Sequence, residues 1–223
     1  MLYDETAVRA NIRNRDGKRV FYLRSSDTLT PLARDFLHKE RIEILPAQEA
    51  KIHRYRLLSG GFSEEKPEHM THLSGDILVP KTHPRIQFRG MVDLLEAELL
   101  LCGPETGEIL ELARKLIRCD VMDEPVGDFT LYGMTAQQQR QHSHFPQDYY
   151  GIPHFMPDYA DSLQMLRLNH CRSICRQAEL AAVAAFSDRE GNLTRGDIVQ
   201  ALNRMSSMLY ILMIRRKRAD EGH

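Results

Sequence analysis

Long apolar runs are absent: no uninterrupted stretch exceeds Met208 to Ile214, far below the roughly 20 residues needed to cross a bilayer as a helix. A membrane span is therefore not expected. A dominant charge sign is absent too. Thirty basic residues stand against 31 acidic ones, for a net charge of -1, so no global field draws the chain to nucleic acid or to an anionic membrane. Any anion site has to be local. The opening Met1-Leu2-Tyr3-Asp4-Glu5 has neither a basic nor an apolar leader character, and a reducing cytoplasm is the expectation. Cysteine is scarce, and its four copies are then thiols, not disulfides. No internal repeat or low-complexity tract appears.

What is present is the profile of a globular enzyme. With 223 residues, 42% of them hydrophobic and 27% charged, the chain can bury one good core and a small appended unit. The start reads as α/β: an alternating run Arg19 to Leu23, a helix from Pro31 to Lys39 with Thr30 as its cap, then a strand over Arg41 to Leu45. Ser59 to Pro67 is rich in Gly, Ser and charge and reads as a linker or mobile loop. Beyond it, helical periodicity runs over Pro84 to Cys102, with Gly103-Pro104 as a stop, and over Glu108 to Val121, Asp161 to Phe186 and Gly196 to about Arg216. Asp123 to Tyr159 reads as a long loop with one short helix near Thr135 to His142. The expected fold is mainly α: an up-down bundle of four to five helices over residues 69–223, a linker over 59–68, and a small N-terminal α/β extension over 1–58.

Several polar side chains stand in register on these helices. Arg172, Arg176 and Glu179 recur at i, i+4 and i+7, with Asn169 one turn earlier, which puts two guanidinium groups on one face. Paired arginines form a fork for phosphate; the same spacing also describes a solvated face in which Glu179 neutralises Arg176. Asn203, Ser206 or Ser207, and Tyr210 lie beside the apolar stripe of the last helix, and Asn203 suits either a purine or triphosphate contact or a satisfied core position. Arg89, Asp93 and Glu96 make a polar line on the first bundle helix, and Asp93 could pin a third-helix arginine or be exposed charge. Cys171 and Cys175, one turn apart, lack a second pair of ligands and read as small buried side chains. His142, His144 and His154, with Asp148 or Asp158, have no recognised metal spacing.

Two strings carry a resemblance: Leu168-Asn-His-Cys-Arg-Ser-Ile-Cys-Arg-Gln-Ala-Glu179 and Ala201-Leu-Asn-Arg-Met-Ser-Ser-Met-Leu-Tyr210. They resemble the signature helices of cobalamin adenosyltransferases, and Lys81-Thr-His-Pro-Arg-Ile-Gln-Phe-Arg-Gly-Met-Val-Asp93 is similar to a third motif of that family. Leu29 to Leu37, Thr71-His-Leu-Ser-Gly-Asp76 and Asp123-Glu-Pro125 resemble its ethanolamine-utilisation branch.

The resemblance implies transfer of the 5′-deoxyadenosyl group from ATP to the cobalt of cob(I)alamin, with Mg²⁺ accompanying ATP. It implies that Arg172, paired with Asp93, and Arg176 serve catalysis. Thr71, Gly75, Asp76, Lys81, Arg176, Glu179 and Asn203 would bind ATP. An aromatic wedge displacing the lower axial ligand would come from Phe129, Phe145, Tyr149 or Phe155. It further implies a homo-oligomer (trimer or dimer), a corrinoid reductase and ethanolamine ammonia-lyase as partners, and a place in the cytoplasm near a bacterial microcompartment. Three departures stand out. The family's glycine-rich ATP loop survives only as Thr71 with Gly75-Asp76; Gln177, Leu180 and Ser207 replace signature residues; and the branch's cysteine cluster is missing around His53 to His69. The last points to a protein without a tightly bound transition metal. The rival readings are a corrinoid carrier that lost the ATP loop and a nucleic-acid regulator using Arg215 to Arg218.

Overall fold

The computed structural model describes residues 1–15, 18–47 and 55–220, and the chain divides into two compact units, Met1–Arg54 and Tyr55–His223. In the first unit the order is β1 (Leu2–Tyr3), α1 (Glu5–Asn11), β2 (Arg13–Arg15), β3 (Lys18–Leu23), β4 (Thr28–Leu29), α2 (Pro31–Lys39) and β5 (Glu43–Pro46). The Asp4 carboxylate accepts from the Ala7 N–H to start α1, and Thr30 does the same for α2 with Pro31 in its first turn. Both use a short polar side chain to satisfy an orphan N–H. Strand β3 pairs antiparallel with β2 and parallel with β5, and Val8, Phe21, Ala33, Phe36, Leu37 and Ile42 form the core of the unit. The strand expected from Arg41 begins at Glu43 instead, because Arg41 takes a left-handed conformation (φ 52°) just after α2.

The second unit opens with a small sheet made of β6 (Tyr55–Leu57), β7 (Phe62–Ser63), β8 (Met70–Ser74) and β9 (Ile77–Pro80), in the order β7-β6-β9-β8. Part of the stretch read as a linker is therefore the turn of the β6–β7 hairpin, where Gly60 and Gly61 adopt φ of 100° and 84° that other residues would resist. Next come α3 (Pro84–Cys102), α4 (Gly107–Met122), the hairpin β10 (Thr130–Leu131) and β11 (Met134–Thr135), α5 (Ala136–His144), α6 (Pro146–Tyr150), α7 (Leu163–Phe186) and α8 (Gly196–Asp220). The long loop expected over Asp123 to Tyr159 thus holds a hairpin and two short helices, α5 entered through a Thr135/Gln138 capping box.

The long helices form an up-down bundle. At one end of the α3–α7 pair the Phe88 ring meets Phe186 edge-on at 5.4 Å, and at the other Gln164 donates to the Cys102 carbonyl at 2.6 Å, so the two run antiparallel. Helices α7 and α8 are also antiparallel, joined by the short turn of residues 187–195, with the Cys175 thiol donating to the Leu202 carbonyl. Phe88, Leu95, Leu99, Leu116, Leu168 and Met205 are fully buried in this core, each contributing about 1.5–3 kcal/mol over an exposed side chain. No described helix is long and apolar enough to cross a membrane.

The start of α8 is tied to the end of α4. Arg195 donates to Asp197 and to the Glu124 carbonyl, and Asp197 accepts from the Val126 N–H at 2.9 Å. Burial works to raise the Asp197 pKa, but the Arg195 and backbone hydrogen bonds outweigh it and hold the carboxyl below its ordinary value. Its contribution to stability is therefore present above the unfolded pKa near ~4 and lost as pH falls through the lower folded one. Asp197→Asn is expected to lower the melting temperature at neutral pH, with the gap to the wild type closing as the pH drops below that range. Parallel melting curves across acid pH check this; a gap that persists in acid would show that Asp197 stabilises without its charge.

Candidate active site

A cleft of about 910 Å³ opens between α7, α8 and the segment joining α6 to α7. Helical period decides what lines it. Cys171, Cys175, Ala178 and Ala182 face the core, which turns Arg172, Arg176 and Glu179 to the open flank. Because α8 runs back antiparallel, Asn203 meets Glu179, donating through Nδ2 at 2.8 Å, while Arg204 donates to Asn203 Oδ1 at 2.6 Å. A guanidinium can only donate and an ionised carboxylate only accept, so the orientation of the Asn203 amide is fixed from both sides.

One helical turn and more away, Arg172 lies over the Tyr210 ring at 5.2 Å. The Tyr210 hydroxyl accepts from the Phe155 N–H and shares a bond with His154 Nδ1, both at 3.2 Å. His154 Nε2 sits 3.0 Å from the His144 carbonyl, which can only accept, so in the neutral ring Nε2 carries the proton and Nδ1 receives the Tyr210 O–H. Phe155 is stacked obliquely on Tyr210 at 5.7 Å. One wall of the cleft is thus cationic and the other aromatic.

Neither Arg172 nor Arg176 has an ion-pair partner among the described residues. Burial, and then the neighbouring Arg176 charge, push the Arg172 pKa down, the mark of a cation held away from water without an anion. Glu179 engages Asn203 and makes no ion pair with Arg176 among the described residues, while Arg176 itself stands exposed on that face. Asp93 does not meet Arg172 within the chain. It lies exposed on the flank of α3 that carries Arg89 and Glu96, whose partners Asp120 and Arg114 are on α4, whereas Glu98 faces His170 of α7.

The remaining expected ATP residues form a second group. Thr71 is on β8 opposite Val79, Gly75 (φ 51°) and Asp76 make the turn into β9, and the Lys81 N–H donates to the His69 carbonyl just before α3. None of these four lines the cleft.

Other expectations sort clearly. Cys175 is fully buried and burial pushes its thiol pKa up; Cys171 lies 3.2 Å from Cys102, and that hydrogen bond raises its own pKa first. Both are neutral core thiols. His142 bonds Tyr150 and stacks on Tyr149, His144 faces the Arg140 carbonyl, and among the described residues no cluster could hold a metal ion. His53 lies outside the described residues. Of the four aromatic candidates, Phe129 packs on the core, Phe145 and Tyr149 are exposed, and Phe155 alone lines the cleft. The basic run at the end of α8 is dispersed: Arg215 reaches the Met134 sulfur, Arg216 pairs with Asp220, and Lys217 lies over Phe155. Arg204 gives no signal of its own in the sequence although it stands inside the Leu-Asn-Arg string; its burial depends on how α8 packs.

A family model for cobalamin adenosyltransferase matches residues 62–216, spanning the hairpin group and both helices of the cleft. The chain belongs to the cobalamin adenosyltransferase family. It is 28% identical over 243 aligned residues to the corrinoid adenosyltransferase EutT of Salmonella typhimurium, covering 94% of this chain and 90% of that protein. With the corrinoid adenosyltransferase EutT of Escherichia coli K12 it shares 32% identity over 158 residues, 67% of this chain and 59% of the relative. The matched stretch therefore includes the walls of the cleft.

The arrangement yields a local expectation. Asn203→Asp sets a second carboxylate against Glu179, where like charges repel, and is expected to weaken ATP binding about tenfold or more. Asn203→Ala is expected to leave folding intact yet reduce turnover strongly. Calorimetric titration with Mg·ATP checks the first, a turnover assay the second, and melting curves the folding of both; unfolding of either variant would make Asn203 a structural residue.

Proposed function

We propose that this chain is an ATP:cob(I)alamin adenosyltransferase of ethanolamine utilisation. The observation that supports it most is the pair Arg172 and Arg176, two guanidinium groups without anions on the wall of a large cleft. In the reaction a Co–C5′ bond forms as the C5′–O5′ bond of ATP breaks, and the electron pair of the broken bond passes to the departing triphosphate. Fixed cations facing that leaving group stabilise charge where it accumulates. Arg172 and Arg176 take this role, Asn203 and Glu179 position the nucleotide, and Thr71, Gly75, Asp76 and Lys81 hold phosphate oxygens. Mg²⁺ enters with ATP as part of the substrate, and the hard oxygens of Glu179 suit it. Phe155 and Tyr210 give the corrinoid a flat, weakly polar face, with Phe155 the aromatic best placed to exclude a lower ligand.

The cleft group and the hairpin group of one chain are brought together, in this reading, between neighbouring copies of a homo-oligomer, a trimer or a dimer, where Asp93 also finds an arginine. A corrinoid reductase supplies cob(I)alamin and ethanolamine ammonia-lyase receives the product, in the cytoplasm and near a microcompartment.

The test is anaerobic absorbance spectroscopy with chemically generated cob(I)alamin and Mg·ATP. Loss of the cob(I)alamin band and appearance of photolabile adenosylcobalamin, both dependent on ATP, are expected. Corrinoid binding without adenosylated product would replace the enzyme by a carrier. Chelation followed by excess Mg²⁺ is expected to restore full activity; a loss that only a transition metal repairs would overturn the metal-independent reading.

A further inference from the structure

We propose that Arg89, oriented by the buried carboxylate of Asp120, is a positioning residue that fixes the β8–β9 turn for the triphosphate of ATP. The inference rests on the adenosyltransferase reading and on the assignment of the Thr71 to Asp76 hairpin to phosphate.

Strand β8 is not regular. His72 is opposite Leu78, but Ser74 is opposite Ile77, so Leu73 is an extra residue on its strand. Such a bulge takes a residue out of the ladder and re-aims the chain beyond it. Here that chain is Ser74, then Gly75 in a left-handed conformation, then Asp76. The Leu73 side chain is buried, so its backbone needs a partner other than water. Arg89 provides it: Nη2 donates to the Leu73 carbonyl at 2.8 Å, and Nη1 reaches the His72 carbonyl at 3.5 Å.

The other edge of the same guanidinium is spoken for. Its Nε donates to Asp120 Oδ2 at 2.6 Å. Asp120 is 0% exposed, and its second oxygen accepts from Arg85 Nε at 2.8 Å, while Arg85 Nη2 donates to the Asp120 main-chain carbonyl at 2.7 Å. A planar fork with both edges engaged cannot swing. Helix α3 therefore holds the bulge, and the bulge sets the direction of the Gly75-Asp76 turn. The shortened glycine-rich loop of this chain has few glycines to wrap a phosphate, so a rigid turn aimed from outside takes their place. Arg89 touches no substrate; it acts through the turn.

A fork that only glued the sheet to the bundle would change stability and leave ATP binding alone. A positioning fork separates the two parameters. Arg89→Ala, and Arg89→Met, which keeps the aliphatic stem, are expected to raise KM for ATP about ten- to a hundredfold, the range for small misplacements. The affinity for cob(II)alamin, read by absorbance, and helical content are expected to stay near wild type. Arg89→Lys, which keeps the charge but one edge only, is expected to recover part of the ATP affinity. Because the alanine and methionine variants both leave the buried Asp120 carboxylate one cation short and could unfold, the lysine variant, which keeps a cation there, is the deciding one. A folded Arg89→Met or Arg89→Lys protein with an ATP KM within about twofold of wild type overturns the proposal. A wild-type protein that neither binds nor consumes ATP overturns the proposed function, and the fork with it.

Discussion

Replacing Arg172 by alanine is expected to cut turnover by about a hundred- to a thousandfold, the range for losing one fixed donor to transition-state charge, while the melting temperature holds or rises. The two parts share one cause. Arg172 is half-buried over the Tyr210 ring, next to Arg176, with no carboxylate facing it among the described residues. In the empty protein that is an unfavourable place for a cation, since burial and like charge both oppose ionisation. Alanine removes the repulsion and loses only the contact with the ring. The leaving triphosphate is the anion that would relieve it, so the residue is worth most when the C5′–O5′ bond is breaking. Melting curves and the anaerobic adenosylation assay on one preparation check it. A large fall in melting temperature would make Arg172 a structural residue; unchanged turnover would remove it from the reaction.

The largest loss of stability is expected from Asp120→Ala. Its carboxylate is inaccessible to water and holds two guanidinium groups whose side chains are only 24% and 17% exposed. Removing the shared carboxylate leaves two partly buried guanidinium groups with main-chain carbonyls but no anion, at a cost of about 3–5 kcal/mol. That is a large share of what keeps a domain of this size folded. Urea denaturation followed by circular dichroism at the helical band measures it. A midpoint shift equivalent to less than about 1 kcal/mol would place the cluster with surface ion pairs.

Much of the bundle was legible because its punctuation is chemical. Helices α2 and α3 begin and end where the sequence places them, since Thr30-Pro31, His83-Pro84 and Gly103 each force a boundary. The register of Arg172, Arg176 and Glu179 comes from the helical period alone. The small sheet did not announce itself: its strands are two to five residues long, and β6 and β7 hold few apolar side chains in alternation. Helix α1 was equally quiet, with Val8 its one buried residue. Asp93 marks the limit for the site. Periodicity puts it on a polar line with Arg89 and Glu96, but which neighbour that line faces is settled by packing, and α3 turns it toward α4 instead of α7. Arg204 and Asp120 read as ordinary charged residues in sequence; burial between helices gives them their meaning.

The cationic wall of the cleft belongs to one helical hairpin closed by a tight turn, in which the Asp188 carboxylate accepts from the Asn192 N–H at 2.8 Å. Its contacts lengthen steadily with distance from that turn: Glu179 to Asn203 spans 24 residues, and Ser162 to Asp220 spans 58. Contacts closed by short loops form first, because little chain entropy is lost in making them. The hairpin is thus expected to zip from the turn outward, with Asn203 seated before Arg172 reaches Tyr210. Substitutions near Asp188 should then slow folding, and those near Tyr210 should mainly hasten unfolding.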